Sequence, residues 1–279
     1  MQWKESHMKT IIVPTDFSEI SINAIYYAME LAEYIKAEIL LLHVVTLPVI
    51  IEVPFLSENI NIMEKDATDQ LEILKEKIMR QTESAVCISL KVAIGSLLEE
   101  INNIVGNIEA FAIVIGIKGA GATQRILFGS KVFTLMNKLN IPVIIIPDEV
   151  NFTPLKNIGV AIDMKDVAKS IPSKTISTII NLFNSSLHIL FVSKHKKVSS
   201  GIISEYSSLQ NNLAKYHPKF HHIINEDTGE GILNFLRKGK INLLLVIPKK
   251  HGFMDGIFHK SISKDLAMNC RVPIMTIHS

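Results

Sequence analysis

Thr10-Ile-Ile-Val-Pro-Thr-Asp-Phe-Ser18 joins two periodicities. Thr10 to Pro14 is apolar without alternation, which is the pattern of a strand with no wet face. Ser18 is a helix-opening residue, and from there to about Lys36 the apolar residues Ile22, Ile25, Tyr26, Met29 and Ala32 recur at helical spacing. A second apolar strand, Glu38 to Val45, follows directly. Strand, amphipathic helix and strand make a βαβ unit, whose parallel sheet must be covered on both faces.

The alternation continues on either side of Pro147. Pro48 and Pro54 punctuate an irregular segment. Then come a helix from about Asn61 to Gln81, strand Val86–Val92, helix Leu97–Val105, strand Ala110–Gly116, a glycine-bearing loop, helix Lys131–Leu139 and strand Val143–Ile146. After Pro147 the order restarts: strand Asn157–Ile162, helix Val167–Phe183, strand Leu187–Val192, helix Ile202–Tyr216, strand Phe220–Ile224, helix Ile232–Lys238, strand Leu243–Ile247, helix Ser261–Met268 and strand Pro273–Ile277. Each half reads βαβαβαβαβ. Pro14-Thr-Asp16 faces Ala161-Ile-Asp163, Gly95-x-Leu-x-x-x-Ile101 faces Gly229-x-Gly-x-x-x-Phe235, and Asn140-Ile-Pro-Val143 faces Cys270-Arg-Val-Pro-Ile274. This is an internal duplication, giving an α/β chain of two doubly wound, five-stranded parallel-sheet domains, 1–148 and 149–279, linked through 148–156.

Composition narrows the function classes. The 279 residues are 48% apolar and 20% charged, enough to bury large cores and too apolar for disorder. Cys87 and Cys270 give neither a disulfide framework nor a zinc spacing. The longest uncharged apolar stretch, Ile39 to Ile51, is broken by Pro48 and is shorter than the roughly 20 residues of a membrane span. MQWKESHMKT lacks the apolar core of a secretory signal, so a cytoplasmic protein is expected. The net charge of +2 hides an asymmetry. Residues 1–148 carry 12 Lys+Arg against 18 Asp+Glu, a net of −6, and residues 149–279 carry 17 against 9, a net of +8. Either the halves attract each other or the second meets an anion. Aromatics are only 6% and do not interleave with the basic residues, which argues against nucleic acid as a partner.

In doubly wound sheets, ligands bind beyond the carboxyl ends of the strands. Three features of the first half fall there. Asp16 ends the first strand, where it either accepts from a nucleoside or caps the following helix. Gly116-Ile-Lys-Gly119 ends the fourth strand, where glycines let backbone N–H groups approach a phosphate. Gly129-Ser130 stands immediately ahead of a helix, whose first N–H groups and dipole attract anions. Lys118 and Arg125 add positive charge.

The spacing Gly116-x2-Gly119-x9-Gly129-Ser130, with Pro14-Thr-Asp16 and a last strand after Asn140-Ile-Pro142, resembles the universal stress protein family in its tandem two-domain form. The resemblance is strong over 8–147 and weak over 150–279. It implies a Rossmann-like, HUP-type fold in each half, the second degenerate. It also implies ATP or another adenine nucleotide as ligand, with or without Mg. Adenosine contacts would be Thr15, Asp16 and Val44, and phosphate contacts Gly116, Gly119, Gly129 and Ser130. Lys131 departs from the small or apolar residue often found at its position. Family members pair through their last strands, so Val143–Ile146 and Pro273–Ile277 are expected to pair as an intrachain pseudo-dimer, with a homodimer as the other arrangement.

The second half lacks the loop. Pro248 replaces Gly116 and has no N–H to give, and His259-Lys260 replaces Gly129-Ser130. Cations gather on the same side, and Lys249, Lys250, His251 and Lys260 are either a solvated or docking surface or a side-chain anion site. His217, His221 and His222 flank Pro218 without a fixed carboxylate or Cys, so no metal is assigned. His43 and His188 lie in apolar strands and read as packed core residues. There is no G-x-x-x-x-G-K-[ST] loop, no G-x-S-x-G elbow and no placed carboxylate pair, so no catalytic residues are assigned. The expected function is non-enzymatic: a stress-response or regulatory protein whose first domain holds a nucleotide. The alternatives are a slow ATPase or nucleotidyl-transfer enzyme, and a ligand-free partner-binding scaffold.

Overall fold

The computed structural model describes residues 9–46, 56–118, 128–162, 171–194, 200–248 and 266–278, with backbone alone at 56–59, 128–131, 200–205 and 208. It divides into two compact units, Met1–Gly116 and Ile117–Ser279.

The first unit runs β1 (Thr10–Pro14), α1 (Glu19–Ile35), β2 (Glu38–Val45), α2 (Leu56–Thr82), β3 (Ile88–Ile94), α3 (Leu97–Val105) and β4 (Ala110–Ile117). Strand order is β3-β2-β1-β4, and β1 pairs in parallel with both neighbours. β1 is buried along its whole length, as its unbroken apolar run requires. α1 begins where Ser18 accepts from the Ser21 N–H and ends where Lys36 turns left-handed, its N–H bonded to the Ala32 and Glu33 carbonyls. Between these caps, Ile25, Met29 and Leu31 are fully buried.

The second unit contains α4 (Phe128–Lys138), β5 (Val143–Pro147), β6 (Asn157–Ala161), α5 (Ser173–Phe183), β7 (Ser186–Ser193), α6 (Ser200–Leu213), a 3-10 turn (Ala214–Tyr216), β8 (Lys219–Ile224), α7 (Thr228–Leu236), β9 (Leu243–Val246) and β10 (Ile274–Thr276). Its strand order is β5-β10-β9-β6-β7-β8. β6 to β10 pair in parallel. β10 runs antiparallel to β5, with Ile274 opposite Ile145 and Met275 opposite Ile144. The buried Thr276 hydroxyl accepts from the Val143 N–H at 3.1 Å and fixes that junction. The expected pairing of the two last strands is therefore present.

Both faces of β8 are covered. Phe235 of α7 meets His221 on one face, and Tyr206 of α6 meets Phe220 on the other. Among the described residues no helix is long and apolar enough to cross a membrane.

Several boundaries differ from the sequence reading. α2 starts at Leu56 rather than Asn61, and β3 is displaced to Ile88–Ile94. α5 starts at Ser173, because Pro172 disfavours helix at Ile171, and both residues stand ahead of the helix. α7 starts at Thr228 instead of Ile232, because Asp227 caps it by accepting from the Glu230 N–H at 2.7 Å. The pairing of Gly95 with Gly229 is corrected by these caps. Gly95 precedes α3, with φ +124, whereas Gly229 lies inside α7. Cap against cap, Ser96 corresponds to Asp227 and buried Ile101 to buried Ile232.

Candidate functional site

In the first unit, the chain leaving β1 is held by a closed set of hydrogen bonds. The Thr15 N–H donates to the Leu42 carbonyl at 2.9 Å. The buried Thr15 hydroxyl bonds the Ser21 hydroxyl at 2.9 Å and accepts from the Phe17 N–H at 3.0 Å. The Thr15 carbonyl accepts from His43 Nδ1 at 2.8 Å. Thr15 thus has a partner for every polar group, and its part is to position the bend.

Asp16 stands at that bend, half-buried. Its Oδ1 accepts from the Ser18 hydroxyl at 2.6 Å and from the Ser18 N–H at 3.2 Å. Ser18 in turn caps α1. This separates the two readings of Asp16: Ser18 is the N-cap, and Asp16 buttresses it with one carboxylate oxygen. Oδ2 has no hydrogen-bond partner among the described residues, so it remains available as an acceptor. Phe17 adopts φ +65, a left-handed conformation unusual for an aromatic residue. Its N–H bond to Thr15 and its ring contact with His43, 4.7 Å between centroids, hold it there.

His43 was expected in the core. It is instead half-buried beside this bend, next to half-buried Val44. Because a carbonyl can only accept, Nδ1 carries a proton, and in the neutral ring Nε2 is left as an acceptor. No Ser-His-Asp relay exists here, since Ser18 donates to Asp16 and His43 donates to a backbone carbonyl. The strand pattern gave no sign of this placement, because β2 does not alternate strictly.

Gly116 ends the described part of this unit, buried in β4. A Cβ there would lie 2.4 Å from the Ile20 carbonyl oxygen and 2.7 Å from Ile20 Cγ2. The absence of a side chain therefore serves the close approach of β4 to the first turn of α1. In the second unit, Lys118 is exposed, and α4 begins at Phe128. Gly129 and Ser130 thus lie within the first turn of α4 rather than ahead of it. Their N–H groups remain among those with no intrahelical acceptor. Gly119, Arg125, Asp163, Lys249, Lys250, His251 and Lys260 lie outside the described residues.

The second unit holds a histidine pair. His188, 4% exposed, has Nδ1 3.0 Å from His221 Nε2, with the rings stacked, and Nε2 3.2 Å from Asn157 Oδ1. His222 points to the opposite face, bonds Ser193 at 2.6 Å and stacks on Phe191. No group of three or more His, Cys, Asp or Glu able to hold a metal occurs among the described residues. Burial, and then His221, Lys219 and Lys240, lower the His188 pKa from 6.5 to about 4. A depressed imidazole pKa means the unfolded chain takes up the proton first. Stability is thus complete above about pH 6.5 and falls as pH drops toward about 4. Denaturation midpoints measured across that window should show the fall in wild type and a flatter profile in His188→Gln.

The relatives of the chain agree with this architecture. A universal stress protein from Methanocaldococcus jannaschii is 28% identical over 142 residues, covering 51% of this chain and 84% of its own length. A universal stress protein from Archaeoglobus fulgidus matches in structure with a TM-score of 0.69 at 18% identity, over 96% of this chain and 98% of the other. A putative universal stress protein from Pseudomonas aeruginosa matches with a TM-score of 0.55 at 12% identity, over 97% and 93%. At these identities the structural matches speak for the fold, including its tandem arrangement. The sequence model of the universal stress protein family matches residues 7–147, the stretch that holds Asp16, the glycines and Ser130, and the chain belongs to that family.

Proposed function

We propose that the chain is a nucleotide-responsive stress protein that binds ATP or a related adenine nucleotide through its first repeat, residues 1–148, without turning it over. The observation that carries this reading is the Asp16 carboxylate, fixed through one oxygen by Ser18 and left with the other as an acceptor. In this proposal Asp16 takes the nucleoside, Val44 lies against it and Thr15 holds the bend. Gly116, Gly119, Gly129 and Ser130 serve the phosphates, with the first-turn N–H groups of α4 as donors and Lys118 adding charge. Mg, if bound, would accompany the phosphates. At the bend no histidine backs the Ser18–Asp16 hydrogen bond as a general base, which favours binding over catalysis. The second repeat, residues 149–279, has Pro248 where the first has Gly116. Its part in this proposal is structural or regulatory.

Calorimetry on Asp16→Ala tests the assignment. ATP and adenosine should weaken about equally, by on the order of 1–3 kcal/mol for a hydrogen bond to a charged group. Weakening of ATP alone would place Asp16 at the phosphates and overturn its role.

A further inference from the structure

Among the described residues, β8 is the last strand of its sheet and is bonded only to β7. The Asn225 N–H, just beyond β8, donates to the Ser193 carbonyl of β7 at 3.1 Å. Backbone groups alternate in direction along a strand, so those of His222 and Ile224 are turned to the free side. Ile224 is also one of the few large apolar residues left exposed among the described residues. Along this free side runs a groove of about 550 Å³, walled by β8 itself and by Gly231, Asn234, Phe235 and Lys238 of the α7 segment. Gly231 shapes it: a Cβ there would lie 3.0 Å from Asn225 Cβ and 3.2 Å from Val192 Cγ1, so α7 sits close to the sheet.

The groove is charged at one end. Lys238 lines it, and Lys219 and Lys240 both act electrostatically on His221, another lining residue. All three lysines are exposed, and none pairs with a carboxylate among the described residues. The nearby acidic groups stand at the other end of β8: Glu226 pairs with Lys194, and Asp227 caps α7.

We propose that this groove docks an extended, acidic segment of a partner protein, added as a further strand beside β8. The partner's main chain would meet the free backbone groups of His222 and Ile224. Alternate side chains point to one face of a strand, so carboxylates at alternate positions would reach the three lysines. An uncovered strand edge is an aggregation hazard, and lysines are a usual guard. Here they also discriminate, because a second copy of β8 would bring the same positive charge.

The test uses the full chain and a fluorescent peptide of alternating Glu and Val, as long as β8. Anisotropy should show saturable binding that weakens with salt. A peptide of alternating Lys and Val should not bind. Lys238→Glu with Lys240→Glu, both at exposed positions, should weaken the acidic peptide by about tenfold. Ile224→Pro should also weaken it, because it removes an N–H facing the free side and leaves the β7 ladder intact. Absence of saturable binding, or affinity unchanged in both variants, overturns the proposal. Self-association of the chain that Ile224→Pro abolishes, without peptide binding, would make a second copy the occupant and overturn it equally.

Discussion

Replacing Gly116 with alanine destabilises the chain by about 3 kcal/mol or more, the upper range of overpacking costs. The added methyl carbon would lie 2.4 Å from the Ile20 carbonyl oxygen, a backbone atom in the first turn of α1. A flexible side chain could swing aside, whereas α1 can yield only by moving away from β4. Gly106→Ala is the matched control in the same unit. Its φ is −68, and the nearest atoms to an added Cβ are at 3.5 Å. That variant should stay within about 0.5 kcal/mol of wild type. Thermal melts of the two variants settle the point, and equal melting temperatures would refute the packing role of Gly116.

Under the proposed function, Gly129→Val should raise the dissociation constant for ATP by about a hundredfold, close to 3 kcal/mol. In that proposal phosphates approach the first-turn N–H groups of α4, where a branched side chain shields donors that a glycine leaves open. Adenosine has no phosphate, so its affinity should be unchanged. Asp16→Ala should weaken both ligands together. Titrating both ligands into both variants separates a nucleoside contact from a phosphate contact. A folded Gly129→Val chain with wild-type ATP affinity would show that α4 does not hold the phosphates.

Much of this was legible in the residues, for identifiable reasons. β2 at Glu38–Val45 and α3 at Leu97–Val105 match the sequence reading to the residue, the first as an apolar run directly after a helix and the second because Gly95-Ser96 and Gly106 bound its helical periodicity. α7 was clipped at its start because Gly229 and Gly231 look like breakers. Gly231 is instead a packing residue, tight against Asn225 and Val192, and neither neighbour is visible from local sequence. α4 was started late for the same reason, with Gly129 read as a loop residue. Asp16 stood out because it follows an apolar strand, yet its hydrogen-bond partner was not assigned. That depends on Phe17 adopting a positive φ, which no propensity predicts for an aromatic residue. His43 was misplaced because a histidine within an apolar strand looks like core, and only the fold brings the Thr15 carbonyl to its Nδ1.

In the proposed function one nucleotide is held by the first repeat and none by the second. Calorimetric titration of the full chain with ATP tests it most directly. A single saturable isotherm with one ATP per chain is expected. Two ATP per chain would contradict the loss of the site from the second repeat, and no saturable heat, with no shift in melting temperature, would contradict nucleotide binding altogether.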